Sequence, residues 1–198
     1  ATSTCYTQPL VSNIYEAGGT WELPVNPVKA SSTTCTGAKV GLARNGVEIW
    51  SAFSRPCTDA NNDEAIAFDA CFGHPGPNQL AYHYHGLPRC LPGLDSALGS
   101  KQEYFIGVAM DGFPIYGPWD HDGLWLDNSR LDACHGWDSP SGYRYIVNDE
   151  FPYVVGCYVG TPEDSGGPMG GCMCSTNSGP NEPLTSGEGG MPGGIPGG

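Results

Sequence analysis

Basic side chains are scarce in this chain. Eight Lys plus Arg stand against 21 Asp plus Glu, a formal net charge of −13. Nucleic acids and anionic lipid surfaces attract clustered Lys and Arg, so this balance argues against both as partners. Long apolar runs are also missing, and no stretch approaches the ~20 residues that cross a bilayer, so no membrane span is expected. Extended helical periodicity is absent, which leaves helix a minor component. The cysteines are not grouped as paired Cys-x-x-Cys knuckles, the usual sequence sign of structural zinc.

What the chain does have is dispersed cysteine in turn-rich sequence. Nine Cys, at 5, 35, 57, 71, 90, 134, 157, 172 and 174, are spread among 30 Gly and 18 Pro. That pattern reads as a disulfide framework made in an oxidising compartment, so a secreted, extracellular protein is expected. The first residue is Ala1 rather than Met, which fits a removed signal peptide. An odd count leaves at least one thiol free or bonded to another chain. Cys172 and Cys174 are too close to bond to each other without strain. At 198 residues the chain can bury a core as one domain or as two packed halves.

Residues 1–37, rich in Thr, Ser and Pro, read as an extended arm pinned by disulfides, with Trp21 and Leu23 alternating like a short strand. From Val40 the pattern sharpens. Val40 and Leu42 alternate, Asn45-Gly46 follows, then Val47, Ile49 and Trp50. Asn-Gly between apolar alternations predicts a β-hairpin in which both turn residues take positive φ. The phrase returns as Gly107-Val108-Ala109-Met110-Asp111-Gly112-Phe113-Pro114-Ile115-Tyr116, at an offset of 66. Asp69-Ala70-Cys71-Phe72-Gly73 likewise recurs as Asp132-Ala133-Cys134-His135-Gly136, and Cys90 has a counterpart in Cys157. Echoes in the same order and at similar offsets predict an internal duplication, with halves at about 38–95 and 104–161. The fold expected is mainly β and disulfide-rich, with two related halves packed on one core and joined by long loops. Residues 162–198 form a Gly/Pro-rich tail, expected to lie pinned on its own domain or on a neighbouring copy.

Within the first half stands Tyr82-His83-Tyr84-His85. Along a strand successive side chains face opposite ways, which places both tyrosines on one face and both histidines on the other. Its partner in the second half is Tyr143-Arg144-Tyr145-Ile146, where the tyrosines recur and the histidines do not. The Tyr face therefore reads as architecture, and the His face as specific to the first half.

These residues carry a resemblance. Tyr82-His83-Tyr84-His85-Gly86-Leu87-Pro88, Ala109-Met110-Asp111-Gly112-Phe113-Pro114-Ile115-Tyr116-Gly117-Pro118, Leu131-Asp132-Ala133-Cys134-His135-Gly136 and Phe151-Pro152-Tyr153-Val154-Val155-Gly156-Cys157 resemble the YHYH-domain family over about 40–160. The resemblance implies a secreted or surface-associated domain and carries no established activity. Members usually have Asn or Gly where His135 stands, so His135 is a departure and a poor family-wide ligand.

His83 and His85 are the first candidate site. Imidazole is the commonest zinc and copper ligand, and His-x-His on a strand supplies two nitrogens on one face. A third ligand must come from elsewhere; His74 is nearest, with His121 and Asp111 as further options. The competing reading is that carbonyls or carboxylates satisfy both imidazoles. Calcium is the weaker cofactor expectation, at Asp120-His121-Asp122-Gly123 with Asp127, or at residues 59–64. Neither follows the full EF-hand spacing, and solvated turn residues explain both. Glu163-Asp164-Ser165-Gly166-Gly167-Pro168 superficially resembles a serine-protease phrase but brings no triad geometry. From sequence alone a non-enzymatic structural or assembly protein, matrix- or filament-forming through its arm or tail, stands ahead of a secreted metal-dependent hydrolase or oxidoreductase.

Overall fold

A computed structural model describes residues 20–54, 58–63, 68–76 and 81–163. Cys5, Cys57, Cys172, Cys174, the protease-like phrase from Asp164 to Pro168 and the Gly/Pro tail beyond it lie outside the described residues, as does the arm before Thr20. The strands, in chain order, are β1 Thr34–Cys35, β2 Lys39–Ala43, β3 Glu48–Trp50, β4 Phe53–Ser54, β5 Thr58–Asp59, β6 Gly73–Pro75, β7 Tyr82–Tyr84, β8 Phe105–Ala109, β9 Pro114–Tyr116, β10 Gly136–Ser139, β11 Gly142–Ile146 and β12 Cys157–Tyr158. Helix is limited to α1 Ala60–Asp63, α2 Leu94–Gly99 and a 3-10 turn at Asn128–Arg130. The fold is mainly β, with disulfides.

Eight strands form one sheet in the order β10-β11-β9-β8-β2-β3-β7-β6. At its centre β2 and β8 run antiparallel. Outward on one side, β2 pairs β3 antiparallel, β3 pairs β7 parallel, and β7 pairs β6 antiparallel. On the other, β8 pairs β9 antiparallel, β9 pairs β11 parallel, and β11 pairs β10 antiparallel. The two sides thus have the same sequence of pairings.

The β2–β3 and β8–β9 hairpins both exist, with a turn that differs from the expected one. Ala43 N–H donates to Val47 O, and Gly46 N–H donates to Ala43 O; Ala109, Phe113 and Gly112 repeat the pattern. Three residues therefore make each loop, and only the last, Gly46 at φ 83° or Gly112 at φ 85°, is left-handed. This is a type I turn closed by a glycine bulge. Asn45 and Asp111 keep ordinary backbone because their side-chain oxygens accept from Val47 N–H and Phe113 N–H, an Asx turn that needs no positive φ. The Asx side chains then reach the core tyrosines: Asn45 Nδ2 donates to Tyr84 Oη at 3.0 Å, and Tyr145 O–H donates to Asp111 Oδ2 at 2.6 Å.

Val40, Ile49, Tyr84, Ile106, Ile115, Tyr145, Val154, Val155 and Tyr158 form the buried core. Each fully buried aliphatic side chain contributes about 1.5–3 kcal/mol through area removed from water. Two disulfides close the flanks, Cys71–Cys90 and Cys134–Cys157, and Cys35 is also disulfide-bonded. The described part of the N-terminal stretch is docked on this body. Trp21 and Leu23 pack on the core without forming a strand, β1 pairs β12, and Ala30 N–H donates to Val159 O.

Candidate metal centre

The Tyr-His alternation behaves as period-two geometry requires. Tyr82 and Tyr84 lie edge to face with ring centroids 5.6 Å apart, and Tyr143 and Tyr145 do so at 5.3 Å, both pairs at 87°. Each outer tyrosine is fixed by the preceding Asp loop. Tyr82 O–H donates to Asp69 Oδ2 at 2.7 Å, while Asp69 Oδ1 accepts from Cys71 and Gly73 N–H. Tyr143 O–H donates to Asp132 Oδ2 at 2.9 Å, with Asp132 Oδ1 accepting from Cys134 and Gly136 N–H. Burial followed by the Asp contact raises both phenol pKa values far above normal, so both hydroxyls keep their protons and act as donors.

On the opposite face the histidines gather. The register pairs His74 of β6 with His83 of β7, and His85 follows the end of β7. Ring centroids are 4.7 Å apart for His74 and His83, 5.3 Å for His74 and His85, and 4.9 Å for His83 and His85, a nearly equilateral triangle. One ligand nitrogen from each lies within 4.8 Å of the others, and all three residues are buried. Three imidazoles are thereby placed where they could hold a metal ion.

Two of the rings are oriented from behind. His83 Nδ1 lies 2.8 Å from Ala81 O, and His85 Nδ1 lies 2.8 Å from Ser51 O. A carbonyl only accepts, so each Nδ1 carries the proton and each Nε2 keeps its lone pair, the arrangement that commonly orients metal-bound histidines. Burial, then the neighbouring His85, lowers the His83 pKa to about 3. His83 is therefore neutral, the form that ligates, throughout the physiological pH range.

Aromatic rings wall the triangle. Trp50 stacks on His83 at 3.8 Å and 15°, Phe68 stacks on His85 at 5.5 Å and 22°, and Phe68 meets His74 edge-on at 5.1 Å. Trp50 is held by Glu48, whose two carboxylate oxygens accept from Trp50 Nε1 at 2.8 Å and from Lys39 Nζ at 2.7 Å. Sequence reasoning reached His74, His83 and His85 but missed this setting. The available signal was the alternation Glu48, Ile49, Trp50, which puts the acid and the indole together on the non-core face of a strand.

The β10–β11 pairing at the other end of the sheet holds a different cation. Arg144 pairs Trp137 across β10 and β11, as His83 pairs His74. Its guanidinium lies 4.3 Å over the Tyr116 ring and 5.7 Å from the Trp137 ring, and bonds Glu103 and Ser139 Oγ.

Other candidate ligands lie elsewhere. Asp111 is committed to Tyr145 and Gly160 N–H. His121 is exposed and lies 3.2 Å from Asp122. Asp120, His121 and Asp122 do form a second group with ligand atoms within 4.8 Å. Its buried member, Asp120, accepts from Asp122 and Leu124 N–H, the bonds of an acidic turn. Asp127 caps the 3-10 turn through Ser129. In the 59–64 segment, Asp59 accepts from Asn61 N–H, Asn62 Nδ2 and Tyr153 O–H, and Asp63 from Ser54 and Thr58; Glu64 lies outside the described residues.

Fold and site together define a disulfide-bonded β-sheet protein with a buried three-histidine cluster. The chain belongs to the YHYH protein family, whose family model matches residues 20–125. That match takes in all three histidines, begins inside the segment read as an arm, and ends before the 131–136 and 151–157 phrases. Searches of curated proteins and of solved structures found no significant match. No helix of the described residues is long and apolar enough to cross a membrane.

Proposed function

We propose that His74, His83 and His85 bind a zinc or copper ion, and that the protein is a secreted metal-dependent enzyme, hydrolytic or oxidative, built on that ion. The observation that carries this reading is the convergence of three imidazole nitrogens within 4.8 Å, with two rings oriented by backbone carbonyls. Three protein ligands leave a coordination position for water or substrate, where a bound ion supplies Lewis-acid or redox chemistry. The disulfides favour an extracellular site of action.

We also propose that the sheet arose by duplication of a four-strand unit within a YHYH domain spanning about 38–161. Matching pairings, paired Asp–Tyr bonds and paired disulfides support this. On that reading Arg144 stands where His83 stands, so one half carries a covalently attached cation where the other offers a cation site. The assembly role rests mainly on the tail and the odd cysteine count, and the described residues add no support to it.

Metal analysis of natively purified protein tests the proposal, with isothermal titration of zinc and copper into wild type and a His74→Gln/His83→Gln/His85→Gln variant. One ion per wild-type chain and none in the variant is the expected result. Equal heats from both proteins would end the metal reading.

A further inference from the structure

The chemistry of the three-histidine cluster narrows the metal beyond zinc or copper. We infer that the site selects copper in its reduced, monovalent state over divalent zinc, an inference that rests on the metal-centre reading above. The donor group contains three imidazoles and no carboxylate or thiolate. The carboxylate nearest in the strand register, Glu48 opposite His83, is already bound to Lys39 and to the Trp50 indole. With neutral ligands, the site takes on the full charge of its ion.

That charge would sit among buried rings. His74, His83 and His85 are 6%, 1% and 2% exposed, and Trp50 and Phe68 cover His83 and His85 with apolar faces. The solvation energy lost on burial scales with the square of charge, so a divalent ion costs about four times as much to desolvate as a monovalent one of similar size. A carboxylate or thiolate would offset that cost, and this donor group has neither. Geometry points the same way. The three rings, with centroids in a near-equilateral triangle, satisfy a three-coordinate monovalent copper ion by themselves, whereas tetrahedral zinc needs a fourth ligand inside the same apolar wall. Imidazole suits copper in either state, and the low-dielectric wall favours the lower charge.

The test is competitive titration of the full chain. Free thiol is alkylated first, because the odd cysteine count would otherwise supply a rival copper ligand. Cuprous ion is then presented as its bicinchoninate complex under ascorbate and without oxygen, with and without a tenfold excess of zinc. Expected is the transfer of one cuprous ion per chain, unchanged by zinc. Separate His74→Gln, His83→Gln and His85→Gln variants, each checked for native circular dichroism, should lose at least tenfold in affinity, whereas His121→Gln should lose nothing. Displacement of copper by zinc, or binding of zinc alone, would overturn the selectivity and leave the metal centre standing. Binding of neither ion would overturn both, and copper retained equally by all three histidine variants would remove the triad as its site.

Discussion

The indole of Trp50 lies flat on the imidazole of His83, with ring centres 3.8 Å apart and planes within 15°. Neither residue is held by that contact alone. Glu48 accepts from the Trp50 N–H, and the Ala81 carbonyl accepts from His83 Nδ1. If the ring pair orients a ligand, Trp50→Leu should weaken metal binding by about 10–100-fold, the usual cost of losing an outer partner of a metal-bound residue. Calorimetric titration checks this, and an unchanged affinity would reduce Trp50 to a cover.

The two faces of the motif should separate by mutation. Tyr82→Phe removes a donor from Asp69 and should cost about 1–3 kcal/mol of stability while preserving metal stoichiometry. His83→Gln should weaken binding at least tenfold with the sheet intact. Denaturant melts run beside elemental analysis distinguish the two, and metal loss in a well-folded Tyr82→Phe protein would break the division of labour.

The paired turns offer an internal control. Gly46 is left-handed with open space around it, so Gly46→Ala should cost about 1–2 kcal/mol from backbone conformation alone. Gly112 has nearly the same φ, but an added Cβ would run into the Pro24 carbonyl. Gly112→Ala should therefore be clearly the more destabilising of the two in urea unfolding. Equal losses would mean that the segment carrying Pro24 moves aside at little cost.

His135 should make the fold acid-sensitive. Burial lowers its pKa to about 4, against an ordinary value of about 6.5. Between those values the unfolded chain takes up a proton that the folded chain refuses, so stability falls as pH drops through roughly 6.5 to 4, by about 1 kcal/mol per pH unit. Its contribution is complete above that window. His135→Asn should flatten this part of the stability–pH curve, and parallel curves for the two proteins would assign the acid sensitivity to other groups. His135 has φ 66°, as Phe72, which also follows a disulfide-bonded cysteine, has φ 61°. A left-handed position favours Asn or Gly, so His135→Asn should not strain the backbone.

Reduction should act unevenly on stability and site. Cys71–Cys90 closes a sequence separation of 19 that includes His74, His83 and His85, whereas Cys134–Cys157 closes one of 23 that includes none of them. Removing either bond by paired Cys→Ser changes should cost about 3 kcal/mol in the loop-entropy account. Only loss of Cys71–Cys90 should also lower metal affinity, because the Asp69-to-Gly73 loop leads directly into His74. Equal affinity losses in both variants, measured by titration, would point instead to a global loosening of the sheet.

Much of this was legible because it depends on local periodicity. Alternation fixes which face a strand residue takes, so His83 and His85 together, and Tyr82 with Tyr84, followed from the Tyr82-to-His85 run itself. Gly46 and Gly112 marked hairpins, since a left-handed position favours glycine wherever the chain must reverse. Spacing did not distinguish a two-residue turn from the three-residue one observed, which depends on Asn45 and Asp111 bonding onward to Val47 and Phe113. The sequence alone determined the β class, the turn sites, the presence of disulfides and the histidine pair. The tertiary structure decided that His74 meets His83 across β6 and β7, that Trp50 and Phe68 enclose the rings, and that Arg144 meets Trp137 across β10 and β11. Those outcomes depend on cross-strand register and on packing between residues far apart in the chain, and no local period encodes either.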